Sequence, residues 1–359
     1  MIEQIKNTLL TLLDQYHELG ISGQIDYDKF YLYSLITHST AIEGSTVTEV
    51  EAQLLFEEGI TSSKRTIAEQ MMNLDLKNAY DYGREWIKKH QPITIDWLIA
   101  LAAKVMAHTG SEYNTINGSF SAAKGELRLL NVTAGFGGKS YMSYTKVQAK
   151  LQSFCNELNL RRAGISPKDV FAVYELSYWA HYELVTIHPW ADGNGRMSRL
   201  LMNLLQMEFD VLPTKVLQQD KAEYIQALID AREQDDIPIF TQYMHRVHIE
   251  HLQHDIDQYQ AMNAYKMADK REIAKELVGK WSIKASLAEK LADILLYMVD
   301  KDEIKTEQLV STMGYTETTA RRYLRQLSAF GYLVPGGGNR NRTYKRINQE
   351  TYKQKNSFI

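Results

Sequence analysis

The chain has 359 residues, 44% hydrophobic and 24% charged, an ordinary globular composition at a length that predicts two or three domains. Its 41 Lys and Arg against 44 Asp and Glu exclude a uniformly basic, nucleic-acid-coating surface, though not a local patch, and the single cysteine, Cys155, excludes an internal disulfide. The first twenty residues carry no basic leader followed by an apolar block, and no apolar run approaches the roughly 18–20 residues of a bilayer span, so a cytoplasmic protein with no membrane contact is expected.

Apolar residues at i, i+3, i+4 spacing, with only six prolines, predict a mainly α-helical chain. Helices are expected over Ile2–Leu19, Val50–Glu58, Ile67–Lys88 and Asp96–His108. Glu126–Thr145 (ELRLLNVTAGFGGKSYMSYT) breaks the pattern and predicts a hairpin, two β-prone arms around a glycine-rich turn. Its TAGFGGKS mimics a phosphate-binding P-loop, but Thr133 stands where that pattern needs glycine, and the β-like YMSYTKV follows where it needs a helix. Cys155, in LQSFCNEL, reads as a packed helix residue. Further helices are expected over Val170–Leu184, over Ala222–Arg232, from near Pro238 through the 250s, and as a connecting helix over Gln258–Lys284. His245, His248, His251 and His254 recur every third residue. Such steps drift around a helix, which predicts a solvated or interhelical face rather than one metal site.

The tail changes character. SLAEKLADILLYMV, KTEQLVSTMG and YTETTARRYLRQLSAFGYL predict three helices, and VPGGGNRNRTYKRI a small hairpin, the order of a winged helix-turn-helix. No acidic residue lies between Thr318 and Gln349, where Arg321, Arg322, Arg325, Arg340, Arg342, Lys345 and Arg346 fall. Arg321, Arg322 and Arg325 on the third helix suit contact with DNA phosphates; a protein-docking or homodimerising module fits the same residues.

The densest chemistry is LVTIHPWADGNGRMSRLL, Leu184–Leu201. A buried helix should end before Pro189, and a new one should start near Arg196 after a tight turn at Gly193, Asn194 and Gly195. Unpaired amides at that helix start form an anion site, which glycines open to close approach. Arg196 and Arg199, three apart, can lean over one ligand; Asp192 offers a hard oxygen to Mg²⁺; His188 titrates near neutrality and can take a proton from a nucleophile. Together they read as a polyphosphate cradle with a metal ligand and a base.

HPWADGNGRMSR resembles the signature of Fic-domain proteins, HxFx(D/E)GNGRxxR, with His188, Asp192, Gly193, Asn194, Gly195, Arg196 and Arg199 in register and Trp190 in place of the usual phenylalanine. The resemblance covers roughly Ile36–Met244 and implies a Fic-type helical bundle with a small β-hairpin flap, ahead of the C-terminal winged helix. It implies transfer of AMP from ATP to a Ser, Thr or Tyr hydroxyl of a target protein. His188 would be the base, Asp192 the Mg²⁺ ligand, the Gly193–Gly195 turn the anion site, and Arg196 and Arg199 the clamp on the outer phosphates. Glycine rather than lysine at Gly195 favours AMP transfer over the phosphate transfer of the Doc branch. Tyr224 falls where the family walls the nucleoside, although Ile225 replaces a frequent second tyrosine.

Upstream, Ser39-x-x-x-Glu43-Gly44 resembles the family's inhibitory motif (S/T)xxxE(G/N). Ser39 and Glu43 share a helix face, Gly44 suits a helix end, and a carboxylate reaching Arg199 would deny it to the γ-phosphate. The same glutamate could orient water for removing AMP, and a DNA-binding regulator with a nucleotide-sensing core is a further reading. The expected domains are a helical region at 1–100 with the inhibitory helix, a catalytic core at 101–255, a connecting helix at 256–285 and the winged helix at 286–350.

Overall fold

The computed structural model describes residues 2–24, 26–133, 139–299, 301, 303–337 and 342–347, without the side chains of 262–268. The glycine-rich turn expected at 134–138 and Arg340 therefore lie outside the described residues. The chain divides into two compact units, Met1–Ile256 and Asp257–Ile359.

The first unit is helical: α1 (Ile2–Glu18), α2 (Tyr27–Ile42), α3 (Glu49–Glu58), α4 (Ile67–Ile87), α5 (Ile95–Val105), α6 (Tyr144–Gly164), α7 (Val170–Ile187), α8 (Asn194–Glu208), α9 (Lys221–Gln234) and the first part of α10 (Ile237–Trp281). α7 and α8 pack together at its centre, α8 also lies against α4, and α6 covers α7. Apolar side chains around most of α8, including Met197, Leu200, Leu201, Leu204 and Leu205, bury it on all sides, as expected of an interior helix. Its polar residues must then find internal partners. Asn203 accepts from the Tyr80 hydroxyl at 2.7 Å, and Gln206 accepts from the Thr214 amide at 2.7 Å and donates to Ser177 at 2.9 Å.

Several local expectations change. The helix begun near Pro238 and the connecting helix are one continuous α10, because Pro238 sits in its first turn, where a missing N–H costs nothing. Of the hairpin expected at Glu126–Thr145, the described residues show two arms joined by a bridge, Thr133 to Ser140, with the Tyr141 amide donating to the Val132 carbonyl at 3.0 Å. It ends at Ser143, since Tyr144 already begins α6, whose buried Val147, Leu151, Phe154, Cys155 and Leu158 follow helical spacing. A regular hairpin stands earlier instead, β1 (Glu112–Thr115) with β2 (Gly118–Ser121), its Tyr113 and Phe120 rings stacked at 4.8 Å.

The second unit has its own core of Leu277, Leu291, Ile294, Leu295, Leu309, Leu324 and Leu327. After the end of α10 come α11 (Ala285–Tyr297), β3 (Glu303–Lys305), α12 (Thr306–Met313), α13 (Glu317–Ala329), β4 (Leu333–Gly336) and β5 (Thr343–Arg346), with the antiparallel sheet ordered β3-β5-β4. No helix among the described residues is long and apolar enough to cross a membrane.

Candidate active site

α7 ends at Ile187, and His188 caps it in the left-handed region at φ 52°, so the chain leaves the helix with the imidazole turned off its axis. Nδ1 lies 3.1 Å from the Val185 carbonyl. A carbonyl only accepts, so Nδ1 carries the proton and Nε2 keeps a lone pair. Burial pushes the His188 pKa down to about 4; the Val185 carbonyl opposes the fall, and the nearby Arg128 and Arg232 charges reinforce it. At neutral pH the ring is an uncharged acceptor.

The loop to α8 is held from within. Asn194 accepts from the Trp190 amide at 3.1 Å and donates to the Trp190 carbonyl at 2.9 Å, while the Trp190 indole, taking the place of the usual phenylalanine, donates to Gly125 at 2.8 Å. The Asn194 side chain is thus a loop clasp. Gly193 caps α8 at φ 83°, where a Cβ would also stand 2.6 Å from the Met106 sulfur, and no side chain caps the helix. The first amides of α8 are left for an anion. α8 starts at Asn194, two residues ahead of the expected Arg196, because Gly195 is tolerated in an open first turn.

The two arginines part company. Arg199 is buried, its Nε donating to the Ser39 hydroxyl at 2.9 Å and its Nη2 to the Ser39 carbonyl at 3.0 Å and Glu43 at 2.5 Å. Burial opposes ionisation of Glu43, but the Arg199 charge and hydrogen bond outweigh it and hold the carboxyl below its usual range. Gly44 follows at φ 104°, just past the end of α2. A Cβ on Gly195 would lie 2.6 Å from Glu43 and 3.0 Å from Arg199, so the glutamate sits directly against the start of α8. Arg196 turns instead to α5, with Nη2 3.0 Å from the Met106 sulfur, Nη1 3.4 Å from the Val105 carbonyl, and Asp192 3.8 Å away. The Val105 carbonyl and the Met106 sulfur at the end of α5 supply acceptors from an element distant in sequence.

His188, Gly195, Arg199, Glu43 and Tyr224 line one cavity of about 410 Å³, with Ile225, Leu228 and Ile229 as its apolar wall. Tyr224 is buried and its hydroxyl bonds to His181 Nε2 at 2.8 Å, beside Arg199 at 3.5 Å. Asp192 is largely exposed, its Oδ1 accepting from the Gly193 amide at 2.6 Å. No cluster of three metal-ligating side chains occurs among the described residues. A lone carboxylate beside an anion site suits Mg²⁺, which takes one or two protein carboxylates and fills its shell with phosphate and water. In the histidine series His245 and His248 are buried, bonded to Glu175 at 2.5 Å and to Tyr174 at 3.0 Å, while His254 is exposed, so the steps drift from an interhelical to a solvated face.

Two further residues, Arg128 and Tyr141, meet His188 from outside its motif. Arg128 is buried with three backbone acceptors and no carboxylate, donating to the carbonyls of His188 at 2.8 Å, Leu130 at 2.7 Å and Met142 at 2.7 Å. It bolts both flap arms to the His188 turn. Arg128→Met is expected to lower the melting temperature by roughly 3–12 °C, at about 1.5–3 kcal/mol for a charged donor and about 2–4 °C per kcal/mol; calorimetry checks it. The other is Tyr141, stacked on His188 at 3.8 Å. Neither has a linear signal, since both partners are distant in sequence.

The helical domain thus brings a neutral imidazole, an uncapped helix start and a buried arginine together around one cavity. Residues 92–206 match the Fic/DOC family. The proteins named Protein adenylyltransferase Fic from Drosophila melanogaster and Nematostella vectensis are each 29% identical to this chain, over 56% of its length and 38% and 44% of theirs. The chain thus spans under half the length of these relatives. Fic-1 from C. elegans shares the fold with a TM-score of 0.57 at 23% identity, over 72% of this chain and 74% of that one. A Fic family protein from Desulfovibrio desulfuricans does so with a TM-score of 0.60 at 16% identity, over 97% of this chain and 96% of that one.

Proposed function

We propose that the chain is a protein adenylyltransferase restrained by Glu43. The observation that carries this is the meeting of the His188 lone pair, the open start of α8 and an Arg199 already held by Glu43 around one cavity. The relatives' shared name supports it. His188 Nε2 takes the proton of a target Ser, Thr or Tyr hydroxyl; its oxygen bonds to the α-phosphorus of ATP as the bond to the bridging oxygen breaks, and pyrophosphate leaves with that electron pair. The amides of Gly195 and its neighbours stabilise charge on the phosphates. Arg199, released by Glu43, takes the outer phosphate, Tyr224 walls the nucleoside, and Arg196 braces the loop beside Asp192. Asp192 would hold Mg²⁺, which neutralises phosphate charge. On this reading residues 1–100 carry the restraint, 101–255 the chemistry, 256–285 the link and 286–350 a winged helix.

The test is ATP labelled at the α- or the γ-phosphate, incubated with the Glu43→Gly chain and lysate. Label retained on protein from the α position alone supports AMP transfer. Label from the γ position above that of lysate without the chain overturns it, and release of AMP from a premodified target by the unaltered chain would favour hydrolytic removal of AMP.

A second activity rests on α13, which exposes Arg321, Arg322 and Arg325 while Ala320, Tyr323, Leu324 and Leu327 face the core. Arg321 pairs with Glu317 at 2.5 Å, but such an exposed pair is weak and yields readily to phosphate. Duplex DNA is the expected partner. Replacing Arg321 and Arg322 by alanine is expected to make the plot of log affinity against log salt shallower by about 2, each phosphate contact contributing about 0.9. An unchanged slope overturns the DNA reading and favours protein docking.

A further inference from the structure

Tyr141 lies on the flap arm just before α6, and its ring stacks on the His188 imidazole with centroids 3.8 Å apart and planes 17° from parallel. The Arg232 guanidinium of α9 lies 4.9 Å from the Tyr141 centroid, and Lys139, two residues earlier, pairs with Glu233 at 3.1 Å. The arm therefore lies against α9 on one side and on the imidazole on the other. Taking His188 as the base, we propose that Tyr141 is a positioning residue whose ring holds the imidazole plane in register, making base orientation conditional on the flap being seated on α9.

The physical argument concerns degrees of freedom. The hydrogen bond from Nδ1 to Val185 fixes one edge of the ring and its tautomer, but leaves the ring free to rock about that bond. A face contact removes the rocking, and an aromatic pair adds roughly 0.5–1.5 kcal/mol beyond its area. Because Nε2 must meet a hydroxyl within hydrogen-bond reach, loss of that restraint acts on turnover rather than on nucleotide affinity. The charged groups that bear on the imidazole are Arg128 on the flap, Arg232 on α9 and Asp192 on its own loop, with Glu43 at the end of α2 and Arg199 of α8 on the lining of the same cavity. Tyr141 screens the same ring from water, so its removal should also let the imidazole protonate more readily.

The experiment compares Tyr141→Ala with Tyr141→Phe in the Glu43→Gly chain. Tyr141→Ala is expected to lower kcat about 3- to 10-fold, the factor corresponding to one aromatic contact, with little change in KM for ATP. Its acid limb should move upward from near pH 4. Tyr141→Phe, which keeps the ring, should rescue most of both effects. A nitrogen-detected NMR titration of His188 in the full chain reads the same pKa and tautomer without any turnover. If Tyr141→Ala leaves kcat and the acid limb of the parent intact, or if the NMR titration does not move, the positioning role is overturned. Absence of AMP transfer in the Glu43→Gly parent would instead overturn the proposed function, and the NMR titration would still decide the role of Tyr141.

Discussion

Replacing His188 by alanine in the Glu43→Gly chain is expected to cut AMP incorporation about 10²- to 10⁴-fold, the usual contribution of a positioned general base. The geometry argues for the upper part of that range. No other side chain on the cavity lining is an imidazole or a carboxylate: Glu43 is replaced in this background, Arg199 and Arg232 are cations, and Thr186, Tyr141 and Tyr224 carry hydroxyls. Asp192 is outside that lining. The variant also gives up the Tyr141 stack, about 0.5–1.5 kcal/mol, and the Val185 hydrogen bond while keeping a Cβ in a left-handed cap, so its fold is checked by melting before activity is compared. A folded His188→Ala chain that still binds ATP and still incorporates α-label at the parent rate would remove the base from the mechanism. The sign of the pH dependence follows from the same site. A histidine whose pKa is pushed down to about 4 is the neutral base throughout the ordinary range, so transfer is lost only as pH falls through that value.

Glu43→Gly alone is expected to raise self-labelling by ATP and Mg²⁺ about 10- to 100-fold, because a hydrogen bond between charged groups is worth about 1.5–3 kcal/mol and about 1.4 kcal/mol is tenfold. Two effects act in one direction. The change frees one Arg199 donor, which then faces the phosphate, and it vacates the space 2.6 Å from the Gly195 Cβ direction at the start of α8. Arg199 should not collapse meanwhile, because Ser39 and Tyr224 still hold it. Glu43→Gln is the informative companion. It keeps the volume and one acceptor but loses the charge, so its labelling should fall between the parent and Glu43→Gly. Equal labelling in all three chains, measured by scintillation on purified protein, would show that the contact between Glu43 and Arg199 does not restrain transfer.

Which residues could be found before the fold was known follows from how far apart their partners stand. The segment from His188 to Arg199 was legible because a helix end, a tight turn and a helix start are local events, and their residues carry the chemistry themselves. Ser39 and Glu43 were legible as a pair at helical spacing. The β1–β2 hairpin carried a usable signal in Tyr113 and Phe120 around Asn117-Gly118, and α6 in Val147, Leu151 and Leu158, yet glycines in the flap drew the strand reading past Ser143. Short apolar runs near glycine do not separate strand from helix by periodicity alone.

The amino-acid order by itself determined a mainly helical chain, a turn with an anion-binding start and a histidine at its mouth, since these depend on backbone preferences and spacing within a few residues. Only the tertiary structure decided that Arg196 turns to α5 while Arg199 turns to α2, that Asn194 clasps its own loop, and that Arg128 and Tyr141 lock the flap onto His188. Buried polar groups take whatever partners the packed helices bring within reach, and those partners come from parts of the chain that no local pattern connects.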